Sequence, residues 1–381
     1  MVKPLSDHAK QYLADHEQFI KDLLFEMCGI PAPSNHEELR AEFIKKWLED
    51  KGAEGVYIDP ALNVVFPYQC EGKNDLLVIM AHTDTVFPDM TPFTVKVDGN
   101  VAACPGIGDD TTNVAILLTL IKYVLENKLT APKGVLFVLN AGEEGLGNLK
   151  GSRQIVKDFG DRIGEFVSLD GSYTGICNEA VGSMRYKVEL TTEGGHSYGA
   201  FGNRNAIQRL AAVIEKLYKI EVPHDGNSKT TYNVGMISGG TSVNTIAQQV
   251  EMLYEYRSDS RKCLQQMGEW FNEIIDEARK DCIAINVTVL GERPCTGDVD
   301  KARQDALLQR AKDAIATAYD GEVRTYPGST DCNIPLSLGI PAVCFGGYIG
   351  KGAHTREEHI FLDSLPVGTE IVAAFLLDYF A

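Results

Sequence analysis

LLVIMAHTDTV, residues 76–86, carries the fold class of this chain in its pattern. Its apolar run shows no alternation, which reads as a strand covered on both faces, the kind found in parallel α/β sheets. The run ends on His82, and because strand side chains repeat every second residue, Asp84 falls on the same face. GVLFVLNAGEEGLG (134–147) ends in the same way, on Glu143 and Glu144. In open α/β sheets ligands bind at the carboxyl ends of strands. These two strand ends therefore point to a site.

Three further residues fit the pattern: Asp109 in GIGDDTTN (106–113), Asp170 in FVSLDGS (166–172) and His354 in GKGAHTREEHI (350–360). With His82 and Glu144 they make a mixed N/O donor set that suits Zn²⁺, Co²⁺ or Mn²⁺ and lacks the thiolates of a structural zinc site. Such a set is too large for one tetrahedral ion. It fits two ions sharing a carboxylate and activating one water between them.

Taken singly, each residue has a plainer reading. His82 could be a satisfied turn histidine, Asp109 and Asp110 a helix cap, Asp170 a strand-end turn, and His354 an exposed loop residue. Adjacent glutamates after a fully apolar strand are harder to explain by folding. Glu144 can ligate while Glu143 reaches the activated water as general base. Asp84 is placed to hold the second imidazole nitrogen of His82.

At 381 residues the chain has room for two domains with their own cores. A formal charge of −17 and a pI near 4.9 argue against nucleic-acid and anionic-membrane partners, which need a basic face. Nine scattered cysteines without a CxxC pair fit reduced thiols. The N-terminal stretch reads as a charged amphipathic helix, and no apolar run is of membrane-spanning length. A soluble cytoplasmic protein is the expectation.

Helices are expected over 7–28, 36–52 and 112–127, with short strands at 63–67, 75–81, 134–140 and 166–169. From Ser183 the texture changes to strand 184–192, helix 203–219, strands 231–238 and 249–258, helix 261–280 and strand 282–290. That βαββαβ order is the ferredoxin-like split motif. After Pro294 helix 301–319, strand 341–345 and a last helix from Ser364 restore the α/β pattern. The domain expectation is a metal-binding α/β domain over 1–182 and 295–381, with an inserted domain over 183–294.

Taken together, His82-Thr-Asp84-Thr, Gly108-Asp109-Asp110, Gly142-Glu143-Glu144-Gly145, Asp170, Gly194-Gly195-His196-Ser197 and His354 resemble the M20 group of co-catalytic metallopeptidases. That group includes peptidase T-like aminopeptidases, carboxypeptidase G2-like enzymes and amino-acid deacylases. The resemblance spans essentially the whole chain and implies a zinc-exopeptidase-like catalytic domain whose ferredoxin-like insert is a lid and homodimerisation domain.

It implies that His82 and Asp170 bind one metal, Glu144 and His354 the other, and Asp109 bridges them. Asp84 would orient His82, and Glu143 would be the base. His196 would act from the partner subunit on the oxyanion of the tetrahedral intermediate. Arg204, on the helix that GNRNAI begins, is a further substrate-binding candidate, and Asn244 and Arg257 would hold a substrate carboxylate, which Arg suits through bidentate pairing. A cis peptide is expected between Asp109 and Asp110. One departure is the Asp109-Asp110-Thr111-Thr112 run, where many relatives carry Lys-Gly or Lys-Ala; it bears on the turn, since the bridging Asp is retained.

The implied function is a dinuclear-metal exopeptidase acting on short peptides, of di- or tripeptide aminopeptidase type. Asp170 favours that side, because deacylase-like and carboxypeptidase G2-like relatives usually carry Glu there. An N-acyl-amino-acid deacylase is the alternative, and a non-catalytic metal-binding scaffold the reading from a different class.

Overall fold

The structure is a computed structural model and describes residues 2–380. The chain forms two compact units, Met1–Ala180 with Gly297–Ala381, and Val181–Thr296.

The first unit is built on an eight-stranded sheet. Its order is Tyr57–Ile58, Val64–Tyr68, Val135–Asn140, Leu76–His82, Ile163–Leu169, Ala342–Phe345, Gly175–Ala180, Arg324–Gly328. The four strands from Val135–Asn140 to Ala342–Phe345 run parallel. Their carboxyl ends therefore share one edge of the sheet. Leu76–His82 and Val135–Asn140 are buried at every residue. Alternate side chains serve two cores: Leu77, Ile79, Ala81, Phe137 and Leu139 pack in one, and Leu76, Val78, Met80, Leu136 and Val138 in the other. Burial on both faces is why these strands read as unbroken apolar runs.

Helix Asn113–Glu126, buried on nearly all sides, joins the first of these cores together with Glu17–Cys28 and Ser364–Leu377. The N-terminal helix expected over 7–28 is two helices, Asp7–Asp15 and Glu17–Cys28, broken at His16. The His16 ring stacks on Tyr12 at 3.8 Å and its Nδ1 lies 2.8 Å from the Tyr12 carbonyl, so the residue closes one helix and starts the next. Helix Lys150–Phe159 and strands Gly175–Ala180 and Arg324–Gly328 were not foreseen. The last of these is an edge strand, where Pro327 is tolerated at a shift of register.

The second unit is a four-stranded antiparallel sheet, ordered Thr230–Gly239, Gln249–Ser258, Gly182–Thr191, Ala284–Arg293. Helices Ala206–Leu217 and Arg261–Arg279 supply Leu210, Val213, Met267 and Phe271 to a core shared with Val188, Leu190, Met252 and Tyr254. This strand order with these two crossovers is the ferredoxin-like arrangement. Among the described residues no helix is long and apolar enough to cross a membrane.

Candidate metal centre

His82 is the last residue of its strand, and its side chain is fully buried. Its Nε2 lies 2.9 Å from Asp109 Oδ1. The other nitrogen, Nδ1, lies 3.1 Å from the Asp84 carbonyl and 3.4 Å from Asp84 Oδ1. The nearer partner is thus the backbone of Asp84, and its carboxylate has further duties. Asp84 Oδ1 accepts the Glu143 N–H and Oδ2 the Glu144 N–H, each at 3.0 Å, and Oδ2 also accepts Ser34 Oγ at 2.7 Å.

Asp109 sits in a wide helical turn, Ile107–Thr112, and the Asp109–Asp110 peptide is cis. The turn is held from below by Glu358, whose carboxylate accepts the N–H groups of Gly106, Gly108 and Asp109, each at 2.8 Å. Gly108 is required by packing: a Cβ there would stand 2.7 Å from the Tyr348 ring. Asp110 binds the backbone of His82, where Asp109 meets its imidazole. It accepts the His82 N–H at 3.0 Å and Asn113 Nδ2 at 2.6 Å, which ties the turn to the strand end.

His354 completes the group from the loop after Gly350–Lys351, with its backbone at φ 65°. Its Nε2 lies 3.2 Å from Asp109 Oδ2 and 3.0 Å from Glu144 Oε1. The two oxygens of Asp109 therefore face two different imidazoles. Asp170 follows Ile163–Leu169 and is fixed by its N–H to the Phe345 carbonyl at 3.1 Å. Donor atoms of His82, Asp109 and Asp170 lie within 4.8 Å of one another, as do those of Asp109, Glu144 and His354. A third such group is His82, Glu143 and Glu144. The five residues read from the sequence as ligands are thus brought together, and Asp109 is common to two of the groups. Mixed imidazole and carboxylate donors in two sets that overlap at one carboxylate fit a pair of divalent cations.

The electrostatics show the strain of gathering these groups. Burial pushes Glu144 up to about 7, and the charges of Asp109 and Glu143 add to it. Burial and the Asp109 charge likewise raise Asp170 well above the usual range. Burial opposes the ionised form of Asp109 too, but hydrogen bonds with His354 and His82 outweigh it and hold that carboxyl low. His354 is pushed up to about 10 by its bonds to Asp109 and Glu144.

Two site residues escaped the sequence reading. Glu358 is one; it comes four positions after His354, and only the fold reveals that it grips the Asp109 turn. The other is Asp331, fully buried, whose Oδ2 accepts Asn140 Nδ2 at 2.6 Å. Burial, helped by the nearby Glu143 charge, pushes Asp331 up to about 8. Nothing in GSTDCN, residues 328–333, signals that contact.

The remaining residues lie in the second unit. His196 pairs with Thr245 in a two-residue ladder, Gly195–His196 against Thr245–Ile246. Its Nδ1 accepts the N–H groups of Tyr198 and Gly199 at 3.3 and 3.2 Å, which assigns the proton to Nε2 and makes that atom a donor. Asn244 is beside it: its carbonyl accepts Ser197 N–H at 2.9 Å, and its Oδ1 accepts Ser242 Oγ at 2.7 Å. Arg204 is not on a helix as expected: it precedes Ala206–Leu217, whose N-cap is Asn205, and forms a forked pair with Glu193 at the same end. Arg257 is at the opposite end of the sheet, bonded to Glu255. The pairs Gln249–Thr191 and Arg257–Ser183 stand about 26 Å apart at the usual strand rise. One copy of the unit therefore does not bring Asn244 and Arg257 onto a single carboxylate.

Imidazole and carboxylate donors gathered beside the strand ends of an α/β sheet fit the class of metal-dependent hydrolases. The chain belongs to peptidase family M20/M25/M40, whose description it matches over residues 78–378. It is 26% identical to the succinyl-diaminopimelate desuccinylase of Corynebacterium glutamicum, over 93% of this chain and 94% of that protein. Its fold is shared with the aminopeptidase PepT of Bacillus cereus, at a TM-score of 0.73 and 20% identity, over 95% of this chain and 98% of that one. It is shared also with the YXEP protein of Bacillus subtilis, described as a dinuclear metal binding peptidase of the M20 family. That match has a TM-score of 0.64 and 16% identity, over 95% of this chain and 98% of that one.

Proposed function

We propose that this protein is a dinuclear-metal exopeptidase that hydrolyses short peptides, of the di- or tripeptide aminopeptidase type. The observation that carries the reading is Asp109, whose two oxygens face His82 and His354 at 2.9 and 3.2 Å. In this reading His82 and Asp170 hold one cation, Glu144 and His354 the other, and Asp109 bridges them. Two zinc ions, or cobalt or manganese, would supply Lewis acidity and bring the pKa of a shared water down toward about 7.

Glu143 accepts the proton of the attacking water and returns it to the leaving amine. Its backbone is fixed by Asp84, so its reach relative to Glu144 is set before substrate arrives. His196 donates from Nε2 to the oxyanion that develops on the scissile carbonyl. Asn244 and Arg204, at the His196 end of the second unit, and Arg257, at its other end, contact the substrate. Because Asn244 and Arg257 do not converge in one copy, a shared role on one carboxylate calls for two copies.

A homodimer is part of the proposal. Tyr198, Phe201 and Val243, beside His196 in sequence or pairing, are 90%, 91% and 102% exposed, and the edge strand Thr230–Gly239 offers an unpaired ladder. Apolar exposure of that degree around a polar donor marks a surface that another chain covers. We assign the protein to the cytoplasm on its cysteines, all nine of which are free.

The second reading, an N-acyl-amino-acid deacylase, is favoured by the likeness to desuccinylases and would use the same residues. A non-catalytic scaffold is disfavoured because Glu143 is present beside a ligand. Assay of the zinc-, cobalt- or manganese-loaded protein on di- and tripeptides against N-acetyl amino acids decides between them. Peptide cleavage from the amino end is expected. Cleavage of the acylated amino acids alone would replace the peptidase reading with the deacylase one.

A further inference from the structure

Beside the metal centre the first unit carries a groove of about 630 Å³ that the chemistry above does not use. Its apolar walls are Pro33, Val86, Phe87, Pro88, Met90 and Leu146, and Asn35 and His36 stand at its polar side. We infer that this groove receives a large apolar side chain, branched aliphatic or aromatic, from a residue flanking the scissile bond. This rests on the peptidase reading and adds a substrate class to it.

The first argument is position. Thr85, which lines the groove, follows Asp84 directly, and Gly145 and Leu146 follow Glu144. Ser34, another lining residue, donates its hydroxyl to Asp84 Oδ2. The groove therefore begins where the two glutamates and their anchor end. A side chain one or two bonds from the reacting carbonyl is the part of a substrate that can enter it.

The second is chemistry. Leu146 is 63% exposed and Met90 55% exposed. Isolated exposed apolar residues need no explanation, but two that share a concave wall next to a catalytic centre match the composition of small-molecule sites. Two acidic groups close to the lining are already paired. Asp89 takes a forked contact from Arg356 at 2.7 and 3.1 Å, and the buried Glu37 takes Lys150 at 2.8 Å. The polar members of the lining, Ser34, Asn35, His36 and Thr85, include no Asp, Glu, Lys or Arg, so a charged substrate side chain would leave water here without such a group to meet, at a net cost. An apolar one loses only water contacts.

The third is rigidity. Phe87 is nearly buried and meets Phe93 edge to face at 6.2 Å. Arg356 lies over both rings, at 5.2 and 5.6 Å, while holding Asp89. Pro33 bridges to Thr85 on the other side. The wall is thus fastened to the loop that carries His354. A groove held open in advance loses little on binding, which turns contact area into selectivity.

The test uses the full-length, zinc-loaded protein and dipeptides in which Gly, Ala, Leu, Phe, Asp and Lys are varied at one position at a time. At one of the two positions, kcat/KM for Leu or Phe should exceed that for Ala by about 10- to 100-fold. Leu146→Asp should bring that ratio down by at least about 10-fold and raise Lys relative to Leu, and Met90→Ser should lower it in the same direction. Both residues are exposed enough for the variants to fold. A flat profile, a preference for Asp or Lys in the native protein, or variants with an unchanged ratio would overturn the inference. Failure of the peptidase reading looks different: no dipeptide, Ala-Ala included, would be cleaved while N-acetyl-alanine was. The Leu to Ala ratio would then be read on the N-acetyl amino acids, with the same two variants.

Discussion

Asp84 Oδ1 accepts the backbone N–H of Glu143 at 3.0 Å, and its other oxygen takes the N–H of Glu144 at the same distance. One buried carboxylate thereby sets the spacing between the proposed base and a proposed ligand, while its own backbone holds His82. An outer residue of this kind affects the metals without touching them.

Asp84→Asn tests that linkage. The amide can offer an acceptor to one N–H but turns a donor toward the other. Metal affinity, by competition with a chelator, should fall about 10- to 100-fold, with turnover falling alongside it. Wild-type metal affinity with only KM changed would show that the carboxylate does not support the site.

Glu143→Ala separates base from ligand. Metal content should stay close to the native value while turnover drops by at least about 10²-fold. Loss of metal from this variant would mean that the two glutamates have exchanged roles.

The pattern behind these tests was open to sequence reading only in part. LLVIMAH and VLFVLN are legible because each strand has two covered faces and no alternation. His82, Glu144 and Asp170 are legible because each stands where such a run stops. GICNEA and RTYPG are not: half of the first and most of the second is not apolar, and their places come from pairing with each other and, at Cys177, with Cys344. Glu358 and Asp331 escaped for a related reason. Each acts on a segment far away in the chain, Glu358 on the Gly106–Asp109 turn and Asp331 on Asn140. No local periodicity encodes that contact. The insert was legible because its strand and helix order is a self-contained motif.

Stability should report the crowded carboxylates. In the metal-free protein Glu144 is pushed from an ordinary 4.5 up to about 7, and His354 from 6.5 up to about 10. Both bind a proton more tightly folded than unfolded, so both contributions decline as pH rises, Glu144 between 4.5 and about 7 and His354 between 6.5 and about 10. The depressed Asp109 acts in the opposite sense, but only below its ordinary 3.8. The Tm of chelator-treated protein should therefore fall across the neutral range, and the gap to the zinc-loaded protein should widen. A gap that is constant or narrows with pH would show that these groups are not what the cations neutralise.

His196 lies in the second unit with its Nε2 proton free to donate, among the exposed Tyr198, Phe201 and Val243. His196→Ala should lower turnover by about 10²- to 10³-fold with metal content unchanged. If the proposed dimer forms, mixing with Glu143→Ala protein should restore activity, because one site of each mixed dimer would have both an intact Glu143 and the partner's His196. If subunit exchange is demonstrated and no activity returns, the donor does not come from a second chain.

In the proposed centre a pair of cations shares Asp109. Metal content against peptide turnover, followed by crystallographic location of the ions by anomalous scattering, addresses it most directly. Two ions per chain are expected at full activity, about 3.5 to 4 Å apart, with one Asp109 oxygen on each. Full activity at one ion per chain under saturating zinc, or two ions with Asp109 on only one, would contradict it.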